Sequence, residues 1–174
     1  RVHVAGIDLV RDSSGKFVVL EDNLRCPSGI SYVLENRRAT SHVFPAIFQS
    51  NHIRSVNEYP QKLLNALLAS APRGIDNPTV VVMTPGVHNS AYFEHAFLAR
   101  QMGVELVEGR DLVVLDNKVF MKTTKSMKRV DVIYRRVDDD FIDPLQFLPY
   151  STLGVAGIIN SARSGNVTIA NAVG

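Results

Sequence analysis

The sequence predicts an α/β protein in which a β-hairpin and a helical connector precede a parallel-sheet unit. Three observations carry that prediction. Residues 2–10 and 16–22 are rich in Val, Ile and Leu and are separated by Asp12-Ser13-Ser14-Gly15, a turn ending on glycine. Leu63, Leu64, Leu67, Leu68 and Ala71 recur at helical spacing. Val80-Val81-Val82-Met83 is an unbroken apolar run followed by a loop, a helix-length segment and a second apolar run over 104–107. That is the β-loop-α-β pattern of a doubly wound sheet, whose strands are buried on both faces.

The remaining elements follow in order. After the hairpin, Pro27-Ser28-Gly29 breaks the strand, and Ile30, Val33 and Leu34 continue at helical spacing to Arg37, with Ser28 placed to cap the free N–H groups. Residues 39–54 show only short apolar pieces around Val43, Phe44, Ile47 and Phe48. The helix over the leucine face has Pro60 in its first turn, where its missing N–H costs nothing. The turn-rich segment 72–78 marks a boundary, dividing the chain into a hairpin and helix (1–38), a helical connector (39–77) and a Rossmann-like α/β unit (78–174). In that unit the loop 84–90 leads to a helix stopped by Gly103. Strands over 112–115 and 119–122 flank Asp116-Asn117, a strand follows over 130–134, and a helix (152–162) and strand (167–170) complete it.

Composition excludes several classes. The 174 residues are 45% hydrophobic and 21% charged with a net charge of +2, which describes a globule with a core and names no polyanionic partner. One cysteine, Cys26, cannot form an internal disulfide or a thiolate metal cage, and favours a reducing, cytoplasmic setting. No apolar run approaches the ~18 residues of a membrane span. A Gly-rich phosphate loop, a G-x-G-x-x-G turn and a serine-hydrolase elbow are all lacking, and Glu94-His95 has no second histidine at zinc-protease spacing. Segment 118–129 holds Lys118, Lys122, Lys125, Lys128 and Arg129 with no acid, but its lone aromatic residue, Phe120, makes a solvated hairpin the reading rather than a nucleic-acid interface. The chain opens at Arg1 within strand-like sequence and closes in 166–174 as if through an element. Both a fragment of a longer chain and a processed chain with abrupt ends account for this.

The chemistry concentrates on the hairpin. Glu21 and Asn23 lie on one face of their strand while Asp22 points away. Pairing Arg11 with Lys16 places Asp8 opposite Val19 and diagonal to Glu21, so Asp8, Glu21 and Asn23 share a face. Two carboxylates and an amide oxygen are hard ligands of the kind Mg²⁺ takes while keeping positions for water and phosphate. Arg25, two residues on, places a guanidinium where it can hold phosphate oxygens in pairs. On pattern alone, a solvated acidic face accounts for the same residues.

Gly6-Ile7-Asp8-Leu9 followed by residues 19–29 (VLEDNLRCPSG) resembles the metal-binding segment of the ATP-grasp superfamily, an acidic residue on one strand and Glu-x-Asn on the next. In ordinary members this segment comes late; here a Rossmann-like unit follows it. That order, with residues 91–112, 130–145 and 165–174, is similar to the circularly permuted ATP-grasp family related to glutathionylspermidine synthetase. The resemblance implies a partial fold composed of the metal-ligand hairpin, the helical connector and a pre-ATP-grasp α/β unit.

It further implies that Asp8, Glu21 and Asn23 bind Mg²⁺ and with it ATP, and that Arg25 acts catalytically beside the transferred phosphoryl group. The reaction implied is ligation of a small-molecule carboxylate, activated as an acyl phosphate, to an amine: an amino acid, peptide or polyamine. Ser28 in the loop after the hairpin, Asn89 at the start of a helix and Arg135 at a strand end are the expected substrate contacts; Cys26 departs from the hydroxyl residue expected there. Nucleotide-binding lysines of a second lobe are not evident, so the 174 residues alone are expected to lack full ligase activity. No nucleic-acid or membrane partner is expected, and oligomeric state stays open. The rival reading is a non-catalytic ATP-grasp-like binding or scaffold protein.

Overall fold

The computed structural model describes residues 2–173; Arg1 and Gly174, the outer ends of the first and third predicted segments, lie outside the described residues. The hairpin pairs β1 (Gly6–Arg11) antiparallel with β2 (Phe17–Asn23). Asp12 builds the turn: its Oδ1 accepts the N–H groups of Ser14 and Lys16, and Gly15 takes φ +83°, a left-handed conformation that glycine adopts without steric cost. Arg11 faces Phe17 rather than Lys16, and the register shifts again at a β-bulge. Leu9 pairs with Val19, but Asp8 pairs with Glu21, leaving Leu20 as the extra residue. Ile7, Leu9, Phe17, Val19 and Leu20 are all more than half exposed, so burial does not orient this hairpin. Two strands alone are marginal in water, and the hairpin depends on what holds its base.

The first helix, α1 (Ile30–Val43), runs beyond the expected end at Arg37, and α2 (Pro45–Ser50) occupies part of the segment whose periodicity was weak. The next helix, α3 (Tyr59–Ala69), begins with Pro60 in its first turn and buries Leu63 and Leu67. The chain then enters β3 (Val80–Met83), α4 (Tyr92–Met102) and β4 (Glu105–Val107), with Gly103 ending the helix at φ +70°. A three-stranded antiparallel sheet follows, β5 (Leu112–Leu115), β6 (Lys118–Lys122) and β7 (Met127–Val130). Asp116 and Asn117 both have positive φ, as a tight hairpin turn demands.

The single strand expected over 130–134 is two strands in different sheets, because Asp131 turns the chain between β7 and β8 (Val132–Arg135). Its carboxylate accepts the Thr79 N–H at 2.9 Å and pairs with Arg129 at 2.9 Å. A short helix, α5 (Asp139–Ile142), has no counterpart in the sequence reading. The helix expected over 152–162 shortens to α6 (Ile158–Arg163), before β9 (Thr168–Ala170). Residues 152–157 run as bends and turns instead, with Gly154 against the backbone of Phe141 and Ile142, so close that a Cβ would overlap it. Asp143 then accepts the N–H groups of Gly157 and Ile159 at the helix start.

All four long-range strands run parallel in the order β4-β3-β8-β9. Alternation sends Val80, Val82, Val132 and Tyr134 to one face, where Leu63, Leu67, Phe97 and Leu98 of α3 and α4 cover them. Val81, Met83, Ile133 and Ile169 go to the other, against Ile158 of α6 and Val119 and Val130 of the antiparallel sheet. The chain leaves β3 toward β4 on one side and reaches β8 on the other, so the β3–β8 gap is the switch point where such sheets receive ligands.

Candidate functional site

The shifted pairing at the turn and the bulge at Leu20 together make the diagonal pair expected from an even register into a direct one. Asp8 stands opposite Glu21, and Asn23 Nδ2 donates to Glu21 Oε1 at 3.2 Å. Directly opposed residues have Cβ atoms ~4.5–5.5 Å apart, and like charges at that spacing repel. A cation between the carboxylates turns that repulsion into attraction. Among the described residues no group of three His, Cys, Asp or Glu side chains gathers to hold an ion; the further oxygen-bearing side chain beside the pair is the Asn23 amide, bonded to Glu21 through Nδ2. The exposed oxygen set fits a hard divalent ion that retains water and phosphate ligands. Arg25 is exposed two residues past Asn23.

Below this face the hairpin base is embedded in polar contacts. Asn171, at the end of β9 and buried, donates from Nδ2 to the carbonyls of Val4 (2.6 Å) and Leu24 (2.7 Å), and its Oδ1 accepts the N–H groups of His3 (2.7 Å) and Val4 (2.9 Å). Glu94 of α4, fully buried, reaches the N-terminus of α1: its Oε2 accepts from Gly29 N (2.8 Å), Ser31 N (3.0 Å) and Ser31 Oγ (2.8 Å). A carboxylate at a helix N-terminus satisfies orphan N–H groups and meets the positive end of the dipole. Its other oxygen lies 3.6 Å from Arg136, which also donates to Tyr134 Oη (3.1 Å) and to the Cys26 carbonyl (3.3 Å).

The expected substrate contacts sit in different surroundings. Ser28 is exposed and does not cap α1; Glu94 supplies that function from a neighbouring helix. Asn89 is exposed, and its Oδ1 accepts the Ala91 N–H at 2.9 Å, an N-terminal turn interaction. Arg135 is fully buried and committed to structure: it donates to the carbonyls of Asn171 (2.8 Å), Val137 (3.0 Å) and Ala172 (3.1 Å) and pairs with Asp139. Asp8, Glu21, Asn23 and Arg25 therefore share one strand pair and its continuation, whereas Ser28, Asn89 and Arg135 do not join them on that face.

The switch point is filled from within. The Arg136 N–H donates to the Met83 carbonyl at 2.7 Å, and Cys26 lies against the carbonyls of Arg135 and Val137. Burial pushes the Cys26 thiol up, so it is protonated and poorly nucleophilic near neutrality. His95 is buried with Nδ1 2.9 Å from Thr84 Oγ1; burial, helped by Arg136, lowers it to about 4 and keeps it neutral. Burial pushes Tyr134 up to about 12. The hairpin base thus occupies the ground on which a doubly wound sheet ordinarily seats a small molecule. Asn171, Glu94 and Arg136, which do this work, carry no sequence signature: each is a single polar residue whose partners lie far away in the chain.

With the metal-type face on a hairpin ahead of a parallel α/β unit, the chain belongs to a circularly permuted ATP-grasp family, whose model matches residues 1–174. It is similar to an uncharacterized protein of Mycobacterium tuberculosis, 62% identical over 174 residues, covering 100% of this chain and 32% of that protein. A Synechocystis protein, also uncharacterized, is 62% identical over 172 residues, covering 99% of this chain and 36% of its own length. A Frankia alni protein whose name contains glutamate–cysteine ligase is 43% identical over 175 residues, covering 100% of this chain and 20% of that protein. The chain thus spans about a third of the length of the first two relatives and a fifth of the third. Among the described residues no helix is long and apolar enough to cross a membrane.

Proposed function

We propose that this chain is the metal-holding part of an ATP-dependent ligase that joins a carboxylate to an amine through an acyl phosphate. The observation that carries the reading is the bulged register that sets Asp8 against Glu21 with Asn23 bonded beside them. A divalent ion, Mg²⁺ in the first instance, supplies charge neutralisation for the phosphate oxygens of ATP. Asp8, Glu21 and the Asn23 side-chain oxygen hold the ion, and the bond from Asn23 Nδ2 to Glu21 keeps the amide beside that carboxylate. Arg25 projects from the same strand end and pairs with oxygens of the transferred phosphoryl group, where a planar double donor is the apt residue type. Ser28, Asn89 and Arg135 bind no substrate in this reading; the substrate pocket is built from other parts of the polypeptide.

Amino acids lead the substrates in this reading, with small peptides and polyamines next. The glutamate–cysteine ligase names among the relatives support that order, since such a ligase joins two amino acids through an amide. The test is Mg²⁺-dependent ADP release by the full-length polypeptide across amino acids, peptides and polyamines. ADP release that needs both a carboxylate and an amine, and that falls at least about a hundredfold in Asn23→Ala, is the expected result. Full turnover in Asn23→Ala sinks the metal assignment. Metal and nucleotide binding without turnover on any pair favours a binding or scaffold protein.

A further inference from the structure

We propose that Asn171 is the positioning residue that sets the metal-type face of the hairpin on the parallel sheet; the proposal rests on the reading of Asp8, Glu21 and Asn23 as metal ligands. A hairpin exposed along both strands cannot be oriented by packing, so its orientation has to come from its two feet. One side chain holds both. Val4 stands two residues before β1 and Leu24 directly after β2, and Asn171 Nδ2 donates to both carbonyls while Oδ1 takes the Val4 and His3 N–H groups. Leu24 is one residue from Asn23, so a shift of this foot is transmitted to the ligand face.

The clamp is itself held. The Arg135 guanidinium donates to the backbone carbonyls of Asn171 and Ala172 and is secured by Asp139 and the Val137 carbonyl. Asn171, at the end of the edge strand β9, is thereby fixed to the end of β8, an inner strand of the sheet. The contact demands an amide. It must accept two N–H groups and donate to two carbonyls from one small planar group, which a carboxylate cannot do: its oxygens would face the Val4 and Leu24 carbonyls with no proton to give. Asn171→Asp therefore keeps the shape and removes the donor half of the clamp.

The experiment measures Mn²⁺ alone binding to the full-length polypeptide, by the electron paramagnetic resonance signal of the free ion, with a melting curve for each variant. Thr168→Val is the matched control at the opposite end of β9, where the Thr168 hydroxyl donates to the Ser70 carbonyl at 2.6 Å. Asn171→Asp is expected to bind Mn²⁺ on the order of tenfold more weakly, the low end for loss of a ligand-orienting partner. Thr168→Val is expected to melt lower yet bind Mn²⁺ like the wild type. If Asn171→Asp does not fold, Asn171→Ser, which keeps one donor and adds no charge, is expected to show the same weakening. Wild-type Mn²⁺ affinity in the folded Asn171 variant, alongside loss of binding in Asp8→Asn, overturns the positioning role and leaves the ligand set standing. An equal weakening in Thr168→Val assigns the effect to general destabilisation and overturns it too. Unchanged binding in Asp8→Asn removes the ligand set, and the proposal with it.

Discussion

Removing Glu94 tests how the hairpin base and the sheet are joined. Glu94→Ala deletes the acceptor of three donors at the start of α1 and leaves the Arg136 guanidinium buried 3.6 Å from an emptied position. Breaking a buried pair from one side costs about 3–5 kcal/mol, because the surviving charge loses its compensation. Arg136 keeps the Tyr134 hydroxyl and the Cys26 carbonyl, neither of them charged, so the loss stays within that range. For a domain of this size each kcal/mol shifts the melting temperature by about 2–4 °C, giving a drop of roughly 6–20 °C. The Glu94→Ala, Arg136→Met double variant removes both charges and is expected to recover part of the loss, the remainder being the orphaned Gly29 and Ser31 N–H groups at about 1–3 kcal/mol. Thermal unfolding of the four members of this cycle reads the coupling. A Glu94→Ala cost below about 1 kcal/mol, or strictly additive single effects, would refute the reasoning.

Other perturbations reach different parts of the molecule. His95 is held near 4 in the fold against 6.5 when free, so between those values the unfolded chain binds the proton and the native chain does not. Stability from this group is complete above about pH 6.5 and falls as the pH drops toward 4, by up to about 3 kcal/mol. Urea midpoints between pH 4.5 and 7 should show that slope in the wild type and a flatter one in His95→Gln. Gly154→Ala forces a Cβ into the backbone of Phe141 and Ile142 and is expected to cost about 1–3 kcal/mol without changing Mn²⁺ affinity. Equal stability in that variant would mean the segment before α6 relaxes freely.

Periodicity made the scaffold legible. The VVVM run, the glycine at 103 and the Asp-Asn turn each act within a few residues, and the strands and helix they delimit are present. What escaped depends on distant partners. The bulge at Leu20 changes which residue faces Asp8, yet nothing in the unbroken apolar run over 17–20 marks the extra residue. Asp131 read as part of one strand because its role, passing the chain between two sheets through Thr79 and Arg129, involves a residue 52 positions away. Arg135 at a strand end resembled a ligand contact; the carbonyls that engage it belong to residues 36 and 37 positions later. Ser28 had the right chemistry and position for a cap, but Glu94 brought a stronger acceptor from 65 residues away.

The central claim is that Asp8, Glu21 and Asn23 hold a divalent ion that meets the phosphates of ATP. Anomalous scattering from crystals of the full-length polypeptide grown with Mn²⁺ and a non-hydrolysable ATP analogue tests it most directly. The account predicts a manganese peak coordinated by the side-chain oxygens of Asp8, Glu21 and Asn23 and by phosphate oxygens of the analogue. Nucleotide bound with its manganese on other residues, and this hairpin face without a peak, would contradict it.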